Sequence, residues 1–226
     1  NTINVDLANV LGNLVSRTTA MSQKYFDGVL GAGGQTDALD EELKTLAAEV
    51  MAAYEKQMDA FQFSQGLNEA FKLISRANKY IDETAPWALA KDMDANGARL
   101  AHVLYNLLET TRICGILLSP FMPESMEKLF AQIGAPAEIQ TWEAAAVWGQ
   151  LSETAVTTKG ENLFPRIDME KAIAELEAAA EAARKAALPA IELEPQATEH
   201  VDFDTFCKSD FRVVKVKNCE NVKKSE

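Results

Sequence analysis

The sequence predicts an all-α protein folded as an antiparallel helical bundle, and three observations support this prediction. Apolar residues recur at three- and four-residue steps over long stretches of the first 150 residues. Proline and glycine interrupt these stretches at spacings typical of helix lengths. No alternation of apolar and polar residues at the two-residue period of a strand appears before residue 200. Helices joined by short turns pack side by side, so an antiparallel bundle is expected.

The first two helices have recognisable limits. The first is predicted over residues 6–24 and ends at Gly28, ahead of a glycine-rich turn at 31–34. The second begins after a capping residue, either Asp37 or Asp40, because a carboxylate there accepts hydrogen bonds from free backbone N–H groups. Its buried face is predicted to consist of Leu39, Leu43, Leu46, Val50, Tyr54 and Met58.

Prolines and a glycine delimit the next three helices. The third helix is predicted over 64–81 and stops before Pro86, and the fourth spans about 96–118. A further helix starts with Pro123 in its first turn, where the missing N–H costs nothing, and Gly134 closes it. The inward positions of the fourth helix are Leu100, Val103, Leu104, Leu107, Leu108 and Thr111.

The last quarter of the chain differs from the bundle in composition. Residues 168–187 are rich in Ala and Glu and predict a solvated helix with a narrow apolar stripe. Residues 188–199 contain two prolines and several acidic side chains, which is typical of a linker. Alternation over 210–217 predicts a β-strand, and because one strand is not a domain, we expect a second domain that continues past the last residue. The apolar stripe of the helix predicted over 168–187 consists of Ile173, Leu176 and Ala180.

Three parts of the chain follow from these patterns. Residues 1–167 form the bundle, 168–199 a helical and Pro-containing acidic linker, and 200–226 the start of a β-domain. The charge changes in the same direction: it is −8 over 1–150, −5 over 151–199 and +1 over 200–226. The total of −12 argues against a surface that binds nucleic acid nonspecifically, because such a surface is basic. A specific RNA site needs only a local arrangement of side chains, so the charge does not exclude one.

Asn9, Asn13 and Arg17 are the first candidate binding residues. Their spacing of four residues places them on one face of a helix as a polar stripe. Amide groups and a guanidinium fork can hydrogen-bond the edge of an unpaired base. The same stripe would also suit a polar face that meets solvent or caps neighbouring loops, and the spacing does not decide between the two.

Trp87 is the second candidate, because it follows Ala85 and Pro86 directly after a helix end. An indole that projects from such a corner is a platform on which a base can stack. The alternative is a tryptophan packed beneath the corner as part of the core. Burial of the ring in the structure distinguishes the two interpretations.

No other group of residues predicts an active site. His102 and His200 lack neighbouring metal ligands in the sequence, so no zinc site is predicted in this chain. The sequence contains no recognisable nucleophile–histidine set and no phosphate-binding glycine loop. Three cysteines without a CxxC pair indicate reduced thiols and a cytoplasmic location. No uncharged apolar run approaches the ~18 residues of a membrane span, so no membrane partner is expected.

Four segments together carry a family pattern. They are DLANVLGNLVSR at 6–17 followed by KYFDGVL at 24–30, ANKYIDETAPWALAK at 77–91, LFPRID at 163–168, and VDFDTFCKSDFRVV at 201–214. In this order they resemble the C-terminal half of the methionyl-tRNA synthetase family. The first three resemble its helical anticodon-binding domain, and the fourth resembles the opening of the OB-fold tRNA-binding module that many bacterial members carry.

The resemblance implies roles for individual residues. In the family, residues that match Asn13 and Arg17 contact the first anticodon base, a cytosine, and the residue that matches Trp87 stacks on it. Four further residues lie in matching segments and are implied to shape the pocket, Asp82 also by repelling incorrect anticodons. These four are Asn9, Asn78, Asp82 and Pro86.

The resemblance also implies an activity, cofactors and partners. The family joins methionine to its tRNA in an ATP-dependent reaction, with ATP, magnesium and zinc held by a catalytic domain that this chain does not contain. Expected partners are a methionine-accepting tRNA and that catalytic domain, and the complete OB-fold module is expected to form a homodimer of the full-length enzyme. The segment at 163–168 and the helix after it are expected to pack on the catalytic domain or to bridge to the OB-fold module.

Two rival functions remain at this level. The first is a non-catalytic helical scaffold for protein interactions, in which Trp87 would be buried. The second is the anticodon-binding domain of a related class I synthetase for Ile, Val, Leu or Cys. The segments FDGVL and APWALAK favour methionine.

Overall fold

A computed structural model describes residues 3–29, 34, 36–152, 156–158, 160–187 and 200–218. The chain forms two compact units, Asn1–Ala172 and Ile173–Glu226, which are described separately. The predicted linker over 188–199, most of the glycine-rich turn and Cys219 lie outside the described residues.

Helices make up the first unit, as the sequence predicts. A π-helical segment, Ile3–Gly12, leads into α1, and a short 3₁₀ turn, Ala137–Ile139, precedes α7. The helices are α1 Asn13–Phe26, α2 Ala38–Asp59, α3 Phe63–Thr84, α4 Pro86–Leu89, α5 Met93–Leu118, α6 Pro123–Ile133 and α7 Trp142–Ala145; α8, Met169–Ala187, begins in this unit. The all-α prediction is confirmed.

The predicted helix limits agree with the structure to within a few residues. Both candidate caps of α2 take part: Asp37 accepts from the start of the helix, and Asp40 accepts from the Asp37 N–H at 2.8 Å. Gly134 ends α6 with φ +69°, a left-handed conformation that glycine adopts without strain. The first predicted helix differs, because its N-terminal part is wound as a π-helix up to Gly12.

Helix α5 is the centre of the bundle. It packs against α1, α2, α3, α4, α6 and α7, and every residue from His102 to Leu118 is buried. The sequence predicted one inward face for this helix, but neighbours cover it on all sides. Polar residues of α5 that lie off the predicted inward face, and would be expected to face solvent, are therefore buried too.

Glu109 and Arg112 are the clearest case of this burial. Both side chains are fully buried and form an ion pair at 2.6 Å. Glu109 also accepts the backbone N–H groups of Gly149, Gln150 and Leu151, and Arg112 donates to three carbonyl groups between residues 139 and 147. A buried ion pair is tolerated when the remaining donors and acceptors are satisfied, and here they attach the segment after α6 to the core.

The second unit contains the larger part of α8 and a short helix α9, Phe203–Cys207. The predicted helix over 168–187 is confirmed by α8, whose stripe residues are exposed. The predicted strand over 210–217 is wrong for this chain, because residues 209–218 have no regular secondary structure. A strand is stable only when a neighbour satisfies its backbone groups, and the described residues of this unit provide none.

Candidate nucleic-acid interface

Three of the predicted site residues meet at one place on the bundle. The guanidinium of Arg17, on α1, lies over the indole ring of Trp87 with its Cζ 5.7 Å from the ring centroid. Its Nη2 donates to Oδ1 of Asp82, on α3, at 3.3 Å. Asp82 and Trp87 lie 65 and 70 positions after Arg17 in the sequence, yet the three side chains form one cluster of a cation, a carboxylate and a ring.

The backbone before Trp87 determines where its ring points. Ala85 ends α3 in the left-handed region, with φ +42°, and Pro86 occupies the first position of α4. Pro86 is buried, whereas Trp87 is 46% exposed. The interpretation in which Trp87 packs beneath the helix corner is therefore wrong, because nearly half of the residue faces solvent.

Asn9 and Asn13 lie before Arg17 in the chain and line a cavity whose lining does not include Arg17, Asp82 or Trp87. Both are exposed, and the cavity has a volume of about 570 Å³. Asn13 is one helical turn before Arg17, so the two residues share a face of α1. Asn9 lies on the π-helical segment, where the wider turn still directs it toward the same cavity.

The other wall of the cavity comes from a segment whose position the sequence did not reveal. Its residues are Asn162, Leu163, Phe164, Pro165 and Arg166. Arg166 donates to Oδ1 of Asn9 at 2.8 Å, and Asn4 forms two hydrogen bonds with the backbone of Ile167. The LFPRID motif was visible in the sequence, but its contact with residues more than 150 positions away was not.

Asn78 differs from the other predicted residues. It is partly buried, and its Nδ2 donates to the carbonyl groups of Val10 and Ile74, both at 3.1 Å. The side chain therefore joins α3 to the π-helical segment. It supports the wall that carries Asn9 and Asn13, and its Nδ2 is bonded to the backbone.

The electrostatics of the site are moderate. The Arg17–Asp82 pair is partly exposed, with 32% and 67% of the two side chains accessible, so solvent screens it. Among the residues that the structure describes, no group of His, Cys, Asp and Glu is arranged to hold a metal ion. Every helix of those residues is too short or too polar to span a lipid bilayer.

The geometry can therefore hold an unpaired base through one exposed ring and a few directional donors and acceptors. Residues 30–184 match the family described as the anticodon binding domain of methionyl tRNA ligase. The chain is 46% identical over its whole length to a methionine–tRNA ligase of Caldanaerobacter subterraneus subsp. tengcongensis and 43% identical over 99% of its length to one of Bacillus subtilis. In each case the chain spans about a third (34%) of the relative's length.

Solved structures give the same result. The free form of Mycobacterium tuberculosis methionyl-tRNA synthetase is 31% identical, with a TM-score of 0.70 over 74% of this chain and 34% of that chain. The same synthetase in complex with methionyl-adenylate has a TM-score of 0.66 over 73% of this chain and 32% of that chain.

Proposed function

The chain belongs to the family of methionyl-tRNA ligase anticodon-binding domains, and from this premise we propose that it recognises the anticodon of a methionine-accepting tRNA. One observation carries the proposal: Arg17 lies 5.7 Å from the half-exposed ring of Trp87, with Asn13 one turn away on the same helix. Such a surface suits a splayed base of a single-stranded loop.

Each of the three residues has a role that its chemistry supports. The Trp87 ring offers a face on which the first anticodon base, a cytosine, stacks. The Watson–Crick edge of cytosine has two acceptors beside one amino donor. The donors of Arg17 match the acceptors, and the amide oxygen of Asn13 matches the amino group. Arg17 and Asn13 therefore read the base edge while Trp87 holds its plane.

The four other predicted site residues contribute to recognition of the base indirectly. Asp82 accepts a hydrogen bond from the Arg17 guanidinium at 3.3 Å, and its carboxylate repels electronegative groups of an incorrect base. Pro86 fixes the backbone before Trp87, and Asn78 holds the π-helical segment in place. Asn9 lines the cavity next to Asn13 and is oriented by Arg166.

The activity of the full-length protein belongs to the same proposal. We place this chain in a methionine–tRNA ligase that attaches methionine to its tRNA with ATP, in which a separate catalytic domain holds ATP, magnesium and zinc. We further propose that a complete OB-fold module forms a homodimer of that protein and that it acts in the cytoplasm. The support for this wider proposal is the 46% identity to a named methionine–tRNA ligase across this whole chain.

Substitution of Trp87 by alanine tests the proposed function. We expect Trp87→Ala to weaken binding of an RNA hairpin with a CAU anticodon loop by ~1–3 kcal/mol, because the stacking surface is lost. Titration of the labelled hairpin measures the effect, and circular dichroism checks that the helices persist.

The matched control is Trp142→Ala. Trp142 is 36% exposed and packs against Tyr54, with the ring centroids 5.9 Å apart, so the variant loses a similar ring elsewhere on the bundle. Hairpin affinity should be unchanged in the control. Equal affinities of Trp87→Ala and the wild type would refute the stacking role.

A further inference from the structure

A buried carboxylate lies where α2, α3 and α5 meet, close to the turn between α3 and α4 that carries Trp87. Asp40, at the start of α2, is 0% exposed. It accepts the hydroxyl of Tyr80 at 2.5 Å and the Arg99 guanidinium through both Nη atoms, at 2.5 and 2.9 Å. His102 Nε2 lies 3.5 Å from the same carboxylate.

The donors to Asp40 come from three parts of the fold. Tyr80 belongs to the last turns of α3, Arg99 to the first half of α5, and the Asp37 N–H to the residue that caps α2. A charge without solvent is stable only when such partners are correctly placed, so the carboxylate fixes the three helix ends relative to one another. The cluster of Asp40, Tyr80 and Arg99 is called the Asp40 network below.

The Asp40 network is connected to the turn that carries Trp87. The carbonyl of Tyr80 accepts the Thr84 hydroxyl at 2.6 Å, and Ala85 follows in the left-handed conformation. That conformation is unfavourable for alanine, so the surrounding structure must hold it. The space between the network and α4 is a cavity of about 320 Å³ lined by Asp37, Thr84, Leu89 and Arg99, among others.

We propose that Asp40, Tyr80 and Arg99 are positioning residues that hold the Thr84–Trp87 corner in the geometry required for base stacking. This inference rests on the proposed function, because it assigns a purpose to the placement of Trp87. None of the three side chains needs to touch RNA. They keep the end of α3 in the one orientation that binds RNA. If a smaller fraction of the molecules has this orientation, the apparent affinity for RNA falls in the same proportion.

Tyr80→Phe is the decisive variant, because it removes only the hydroxyl and no carbon volume. That hydroxyl donates to Asp40 and accepts from Nδ2 of Asn106 at 3.4 Å. Tyr54→Phe is its matched control: Tyr54 is also buried, and its hydroxyl donates to the Leu117 carbonyl at 2.7 Å. Tyr54 lies 14 residues after Asp40 on α2, about 21 Å along the helix. Both variants lose a buried hydroxyl, but only Tyr80→Phe loses it at the Asp40 network.

Two measurements on the full chain test the inference. The first is the dissociation constant for the CAU-loop hairpin, which we expect to be about fivefold higher in Tyr80→Phe and unchanged in Tyr54→Phe. The second is the fluorescence anisotropy of Trp87 without RNA, in a background where Trp142 and Trp148 are phenylalanine. It should fall in Tyr80→Phe and stay constant in Tyr54→Phe.

The outcomes separate this inference from the proposed function. Equal affinity and equal anisotropy in the two tyrosine variants would overturn the positioning role and leave stacking by Trp87 intact. A lower melting temperature without either change would assign the Asp40 network to stability alone and would also overturn it. Failure of Trp87→Ala to weaken binding would instead refute the proposed function, and the anisotropy result would still report whether the network fixes the corner.

Discussion

At the scale of single residues, Arg17 shows how few side chains define the candidate site. It faces a ring on one side and a carboxylate on the other, and it shares its helix face with Asn13. A guanidinium suits this position because it is planar, permanently charged and rich in donors. Its contacts with Trp87 and Asp82 restrict the side chain before any ligand arrives, which lowers the entropy lost on binding.

Arg17→Ala should reduce discrimination more than it reduces helix content. We expect the preference for cytosine over other bases at the first anticodon position to fall by about 1–3 kcal/mol, the usual value of a bidentate contact with a base edge. Titrations with hairpins that differ only at that base measure the preference. Arg184→Ala removes the same charge from the exposed surface of α8 and should leave the preference intact. An equal loss of affinity for all hairpins would show that Arg17 acts only as a charge.

Asp40 gives the fold a dependence on acid pH. Burial of Asp40 favours the neutral form, but hydrogen bonds from Arg99 and Tyr80 outweigh it and hold the pKa below the ordinary value. A depressed pKa contributes stability that is complete above the unfolded value of about 3.9 and is lost as the pH falls through the folded value. The groups facing the carboxylate are Arg99, His102, Tyr80 and the Asp37 backbone.

The expected result concerns the stability lost in Asp40→Asn. The difference in free energy of unfolding between the wild type and this variant should be constant above about pH 5 and should shrink below about pH 4, because the Asp40 carboxylate of the unfolded chain takes up its proton there before that of the folded protein does. Urea unfolding at several pH values measures the difference. The same difference at pH 3 and pH 7 would contradict the assignment.

At the scale of helices, the ends of the elements depend on individual backbone positions. Gly134 has φ +69°, and a Cβ there would lie 2.7 Å from the carbonyl oxygen of Val156. The residue therefore ends α6 and also admits a segment more than twenty residues later. Gly97, inside α5, has ordinary helical surroundings, and a Cβ would meet only the Met93 side chain at 3.8 Å.

The two glycines should respond in opposite directions to the same substitution. Gly134→Ala should destabilise the fold by at least ~1–2 kcal/mol, because alanine is strained at positive φ and collides with Val156. Gly97→Ala should stabilise it by roughly 0.5–1 kcal/mol, because the unfolded chain loses freedom and the helix loses nothing. Urea denaturation gives both values, and a change of the same sign in both variants would refute the explanation.

At the scale of the whole molecule, the charge of −12 and the candidate site fit together. A chain of this charge repels the phosphate backbone of RNA, so its affinity must come from contacts with bases. In the proposed function, Trp87, Arg17 and Asn13 supply such contacts in a small area. We therefore expect the chain by itself to bind RNA weakly but with a preference for sequence.

Salt dependence distinguishes this mode from phosphate binding. A plot of the logarithm of the hairpin dissociation constant against the logarithm of salt concentration should have a slope below about 2, since each neutralised phosphate of a single strand contributes about 0.7. Isothermal titration or anisotropy over a range of salt concentrations provides the slope. A steep slope would show that phosphate contacts dominate, contrary to the proposed use of base contacts.

The sequence by itself determined the helices and their approximate ends, and it offered Asn9, Asn13, Arg17 and Trp87 as candidate site residues. Helix periodicity, the caps at Asp37 and Asp40, and the stops at Pro86 and Gly134 are local signals, because they act between residues a few positions apart. The resemblance to a known family added roles that periodicity cannot supply. The predicted strand over 210–217 failed for the complementary reason, since strand formation depends on a partner and not on its own alternation.

Only the tertiary structure decided which polar groups are buried together. Tyr80 and Arg99 lie 40 and 59 positions from Asp40, and Arg166 lies 157 positions from Asn9. Helices of one chain can pack in several arrangements with the same apolar periodicity, so no local pattern specifies these pairs. Exposure of Trp87 was settled in the same way: the sequence placed the ring after a proline corner, and the packing of α4 against α5 left it facing solvent.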